Sequence, residues 1–180
     1  MDEIRGTPPR ILTEEELVRI LECPDTNTRA GLRDRAILEL LGGAGLKVQE
    51  LAELRLENVD LQISCILLSG QPHRMIPFGK RTRESLLCYI YDMRGQMDGP
   101  SALLFPGRGG KKLTRQAVWK IVKKYAQASG AGDWVSPEDL RTALAVSLLR
   151  RGGDPSGVQA ILGIQDAAMN KYMRAILDST

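Results

Sequence analysis

Between Val59 and Pro77 the spacing of apolar residues shifts from three and four to alternation and short runs, and this change of period constrains the fold more than any other feature. Ile63, Cys65, Ile66, Leu67 and Leu68 on one side, and Met75 and Ile76 on the other, flank Gly70-Gln71-Pro72 and predict a hairpin. Helical spacing occupies most of the rest. Thr13 with Glu16 three residues later predicts a capping box, opening a helix that turns Leu17, Ile20 and Leu21 inward. A second helix from about Arg29 carries Leu32, Ala36, Ile37, Leu40 and Leu41 and stops at Gly42, Gly43 and Gly45, and a short third one holds Val48, Leu51 and Ala52. A helix is expected over 81–94, a short strand over 102–105 ended by Pro106-Gly107, and four helices over 114–129, 137–151, 155–162 and 167–177, with Asp154 and Asp166 as N-caps. The fold class is therefore mainly α with a small antiparallel β-sheet (α+β). Residues 1–12 read as a linker and 13–180 as one domain, a length that hides roughly 70% of the surface of the unfolded chain.

Charge is uneven along the chain. Residues 1–68 carry 8 basic and 13 acidic side chains, whereas residues 108–151 carry 10 basic and 3 acidic ones, a local excess of seven positive charges within a total of only +3. A field of that kind attracts a phosphate backbone without reading its sequence. No apolar run is long enough to span a bilayer, and the opening MDEIRGTPPR lacks the apolar stretch of an export signal, so a cytoplasmic protein is expected. Cys23, Cys65 and Cys88 contain no CxxC pair and His73 is the only histidine, so no metal site and no cofactor is expected; the cysteines read as buried thiols. Trp119 and Trp134 read as packing residues and His73 as a surface strand residue.

Four stretches, in order, resemble the catalytic domain of tyrosine recombinases, the phage integrase and Xer-like family. They are LTEEELVRILE with LRDRAILELLGGAGLKVQELAELRLENVDL, then RMIPF, then LLFPGRGGKKLTRQAVWKIVKKYAQASG, and finally SPEDLRTALAVSLLRRGGDPSGVQAILG. The resemblance implies that family's fold. It also implies chemistry in which a tyrosine hydroxyl attacks a DNA phosphodiester, two arginines neutralise the phosphate oxygens, and a hairpin lysine protonates the leaving oxygen. An additional N-terminal core-binding domain usual in the family is expected to be absent here.

Carried over position by position, the family's site is degenerate. Its first arginine falls on Lys47 in GLKVQEL, which keeps the charge but loses the planar fork, with Glu50 one turn on as a partner for that lysine. The hairpin lysine falls on Ser69, and no lysine lies between Lys47 and Lys80 to replace it. The histidine of HxxR falls on Glu138, three residues before the retained Arg141, where an ion pair would occupy the arginine. The later histidine falls on Ile164, which cannot donate a hydrogen bond. Tyr172 matches the nucleophile, but the stretch from Gly163 is about one residue short, a rotation of about 100 degrees in a helix; its bland reading is a half-buried packing tyrosine.

The expected DNA contacts are Arg74 and the basic run Arg108, Lys111, Lys112, Arg115, Lys120, Lys123 and Lys124, whose helix resembles the one that enters the major groove in relatives. The leading expectation is a double-stranded DNA-binding domain of a recombination and integration family that lacks strand cleavage, a pseudoenzyme. The alternatives are an active recombinase forming a phosphotyrosine through Tyr172, and a protein-interaction module without DNA affinity. The C-terminal segment is the expected route to a homo-oligomer or to a related recombinase.

Overall fold

The computed structural model describes residues 10–70, 73–96 and 102–177. Among them are α1 (Glu14–Glu22), α2 (Arg29–Gly42), α3 (Val48–Glu53), β1 (Val59–Asp60), β2 (Cys65–Leu68), β3 (Arg74–Pro77), α4 (Lys80–Asp92), α5 (Arg115–Ala128), α6 (Pro137–Arg150), α7 (Pro155–Leu162) and α8 (Asp166–Leu177), with three 3-10 turns. Most of these bounds follow from local chemistry. The Thr13 hydroxyl accepts the Glu16 N–H at 3.1 Å while the Glu16 carboxylate accepts the Thr13 N–H at 3.0 Å, closing the box that starts α1. That hydrogen bond, the largest influence on Glu16, holds its carboxyl below its ordinary range. Asp154 caps α7 by accepting the Gly157 N–H at 2.8 Å.

The region of changed period is a three-stranded antiparallel sheet in the order β1-β2-β3, so the expected hairpin gains a third strand. Its register pairs Ile66 with Ile76 and Leu67 with Met75, which turns the two isoleucines into the core and leaves Leu67 and Met75 exposed. The expected hairpin tip at Gln71-Pro72 lies outside the described residues. Three expectations fail. Residues 102–105 form no strand: Leu103 is joined to Arg55 by an isolated bridge, and the segment is fixed by Leu104 N–H on Leu54 O at 2.7 Å and by the burial of Leu104 and Phe105. A short apolar run fits a buried loop as well as a strand. Asp166 is the first residue of α8 rather than its cap, because the Gln165 carbonyl already accepts the Ala168 and Met169 N–H groups. Of the cysteines only Cys65 is buried; Cys23 is half-buried and Cys88 exposed.

Helix α2 sits at the centre, packed on α1, α4 and α6. Burial around most of its circumference encloses two acids that periodicity alone gives no reason to bury, Asp34 and Glu39. Asp34 is satisfied by Tyr125 Oη at 2.9 Å and by Arg33 at 2.7 Å. Glu39 meets Arg35 at 3.2 Å, Arg81 at 3.7 Å and the Thr82 hydroxyl at 3.2 Å, yet burial prevails over these partners and pushes its carboxyl upward. Beyond the main core, Ala145, Val158, Leu162 and Met169 form a separate small cluster under α7 and α8.

After α2 the chain turns at Gly45 with φ of 78°, where an added Cβ would lie 2.4 Å from Leu162 Cδ2. Gly45→Ala is expected to destabilise the domain by about 1–3 kcal/mol, read by urea unfolding; an unchanged midpoint would show that this turn relaxes freely. Glu39 yields a second expectation. A carboxyl whose folded pKa is raised above its ordinary value of 4.5 costs stability as pH rises from that value through the folded one. The stability of Glu39→Gln relative to the parent should therefore rise across that window in urea titrations, and a pH-independent difference would contradict it.

A candidate active-site cleft

An open cleft of about 850 Å³ lies between α3, the end of the β2-β3 hairpin and the C-terminal end of α7. It brings together Lys47, Glu50, Ser69, Arg74 and Ile164, residues from three separate parts of the sequence. Lys47 occupies the N-cap position of α3 and is exposed, with no ion pair among the described residues. The expected pairing of its side chain with Glu50 does not form. Glu50 instead accepts Arg74 Nη1 at 2.9 Å and Nη2 at 3.2 Å, and its Oε2 also takes the Lys47 backbone N–H at 2.8 Å. A planar guanidinium that engages both carboxylate oxygens outcompetes an ammonium with one point of contact. Arg74, expected as a DNA contact, is thereby half-buried and paired.

Arg141 projects from α6 and is only 8% exposed. Its Nε donates to Gly45 O at 2.9 Å, Nη2 to Leu162 O at 2.9 Å and Nη1 to Glu138 Oε2 at 2.7 Å. The expected Glu138–Arg141 ion pair is present. Ser69 is exposed at the cleft mouth, and Ile164 puts an aliphatic side chain on the wall. Tyr172 is half-buried against the small cluster of α7 and α8, as the packing reading expects. Its hydroxyl lies 3.2 Å from Thr142 Oγ1 in a pocket of about 270 Å³ with Glu138 and Lys171, and Tyr172 is not among the residues lining the cleft.

The basic run divides into two parts. Arg108, Lys111 and Arg115 are exposed without ion pairs among the described residues, and Lys112 reaches Glu53 on the cleft wall at 2.9 Å. Lys120 is exposed and unpaired on the outer face of α5. At the far end of that helix, Lys123 donates to Asp133 O and lies 5.6 Å from the Trp119 ring centroid. Lys124 donates to Tyr125 Oη at 3.1 Å, a bond that raises its pKa, while burial raises that of Tyr125. Trp134 is half-buried, donates to Ala131 O at 2.9 Å and carries the Arg10 guanidinium over its ring at 4.7 Å. His73 is exposed and immediately precedes β3.

Sequence reasoning missed the Glu50–Arg74 fork, whose partners stand 24 residues apart. The available signal was Arg74, the one charged residue of RMIPF. Among the described residues no group of His, Cys, Asp and Glu could hold a metal ion, and no helix is long and apolar enough to cross a membrane.

The comparisons agree with this geometry. The phage integrase family matches residues 10–176. The chain is similar to the tyrosine recombinase XerD of Pseudomonas aeruginosa, with 38% identity over 166 residues, covering 89% of this chain and 56% of that protein. It is also similar to XerD of Staphylococcus haemolyticus, with 36% identity, covering 88% of this chain and 55% of that one. The chain thus spans just over half the length of these relatives. Among solved structures, XerA recombinase superposes with a TM-score of 0.86 at 27% identity, covering 98% of this chain and 64% of that one. XerH bound to its palindromic difH substrate shares the fold, with a TM-score of 0.81 at 21% identity over 96% of this chain and 52% of that one. From the match over residues 10–176 and the cleft it frames, the chain belongs to the phage integrase family, as a Xer-like tyrosine recombinase catalytic domain.

Proposed function

We propose that this domain docks on duplex DNA beside its cleft and does not cut it. The occupied fork of Arg141 carries the second half of this reading. Two of its nitrogens hold backbone carbonyls and the third holds Glu138, so the group that should meet a phosphate already has its partners. An anion beside that fork repels a second anion. Ser69 and Ile164 supply no general acid and no donor to replace the missing ones, and general acid–base groups contribute roughly 100 to 10,000 fold each. Tyr172 is turned to Thr142, in a pocket apart from the cleft lining.

DNA binding is supported by cations whose side chains make no ion pair among the described residues, Lys47 at the cleft and Arg108, Lys111 and Arg115 beyond its Glu53 edge. The XerH neighbour is solved bound to its difH substrate. Lys123 and Lys124 are tied to protein groups and contribute less to this surface.

Two outcomes are expected. On a nicked suicide duplex that traps phosphotyrosine, neither the parent nor Glu138→His should yield a covalent adduct, because groups that act as one unit do not restore activity singly. A Tyr172-dependent band on a denaturing gel from either protein would overturn the loss of cleavage. In fluorescence anisotropy at two salt concentrations, Lys111→Ala with Arg115→Ala should flatten the log–log salt slope by about 0.9 per lost contact. Lys123→Ala with Lys124→Ala should change it far less. Equal slopes in all three folded proteins, or no parent binding at low salt, would favour the protein-interaction reading.

A further inference from the structure

Arg74, which lines the cleft, and Arg141, which does not, each hold a carboxylate, but the two are held in different ways. Arg141 gives two of its three bonds to backbone carbonyls that cannot leave. Arg74 gives both of its bonds to the oxygens of Glu50, and its Nε is buried without an acceptor. Glu50 therefore presents Arg74 with two acceptor oxygens, the geometry in which a phosphate diester would present its own non-bridging pair. We infer that Glu50 is a built-in competitor for DNA phosphate at Arg74, so that this carboxylate sets how tightly the cleft holds the backbone. The inference rests on the DNA-docking reading above.

Three observations carry it. First, Arg74 has a seat independent of Glu50. The guanidinium lies against Gly163, where an added Cβ would stand 2.3 Å from Nη1, and the carbonyl end of α7 favours a cation there. Second, Glu50 is the most sheltered acid of the wall. Its side chain is 20% exposed against 48% for Glu53 and 70% for Glu57, so solvent screens those two far more. Third, Arg74 borders both the cleft and the adjoining hollow at the hairpin, where Ser69 leaves no lysine to meet phosphate in its place. Removing the carboxylate charge would leave a planar cation, still seated, facing an approaching phosphate.

Glu50→Gln keeps the side-chain shape and an acceptor for the Lys47 N–H while removing the charge. Duplex binding followed by fluorescence anisotropy across salt should become about five- to tenfold tighter, with a log–log salt slope steeper by about 0.9. Both gains should vanish in Glu50→Gln/Arg74→Gln. A purely structural Glu50–Arg74 staple would move the thermal unfolding midpoint without steepening the slope. Circular dichroism checks folding, and Glu50→Ala, expected to shift affinity in the same direction, serves if the glutamine variant does not fold. Parent binding with an unchanged or weaker folded Glu50 variant overturns the inference and leaves the docking reading standing. A gain that survives in the double variant also overturns it, since Arg74 would not be the receiving cation. No binding by parent or variant, even at low salt, overturns both.

Discussion

A guanidinium that is 8% exposed must find partners for its N–H groups or the domain loses several kcal/mol, and the arrangement of the whole cleft follows from how Arg141 meets that demand. Its acceptors lie 96 and 21 residues away in sequence, on the turn after α2 and at the last residue of α7. One side chain on α6 thus fixes the distance between the two walls of the cleft. The turn at Gly45 must bend through a left-handed conformation to aim its carbonyl inward, and it packs against Leu162, whose carbonyl is the second acceptor. Glu138 completes the set from the solvent side. The same three bonds that tie these elements together take up all three nitrogens of the guanidinium.

Electrostatics outside the cleft follow a different rule. On the cleft wall Arg74 is matched by Glu50 and Arg55 by Glu57, Lys112 reaches Glu53 from outside the lining, and Lys47 alone of the lining cations has no ion pair among the described residues. Arg108 and Lys111 before α5 and Arg115 at its first turn are unmatched among the described residues and in solvent, where they shape a long-range field and contribute little to folding. The positive excess of residues 108–151 was legible in the sequence, but its partition was not. Lys123 and Lys124 look the same as Lys111 in one dimension and differ only because Asp133, Trp119, Tyr125 and Asp34 stand beside them.

Helix starts were legible because their causes are local: Thr13 with Glu16, Ser136 before Pro137, and Asp154 before Pro155 each act within one turn. The sheet was legible in type from the change of period, and its third strand was missed because Val59-Asp60 is too short to show alternation. Leu103-Leu104-Phe105 misled for a physical reason, since buried loops and buried strands share composition. In the site, the Glu138–Arg141 pair was readable from helical spacing. The choice of Glu50 between Lys47 and Arg74 was not, because it turns on how the hairpin folds against α3.

The small cluster beneath the last two helices bears on motion. Only Ala145, Val158, Leu162 and Met169 are buried in it, against the much larger core around α2. The free energy of local opening grows with the apolar surface that opening exposes to water, so this cluster opposes the detachment of α7 and α8 less than the main core opposes global unfolding. Gly163 and Ile164, one wall of the cleft, directly follow α7, and Tyr172 of α8 meets Thr142 of α6. That wall of the cleft is therefore held by few contacts: the four buried side chains, the Arg141 bond to the Leu162 carbonyl and the meeting of the Tyr172 and Thr142 hydroxyls.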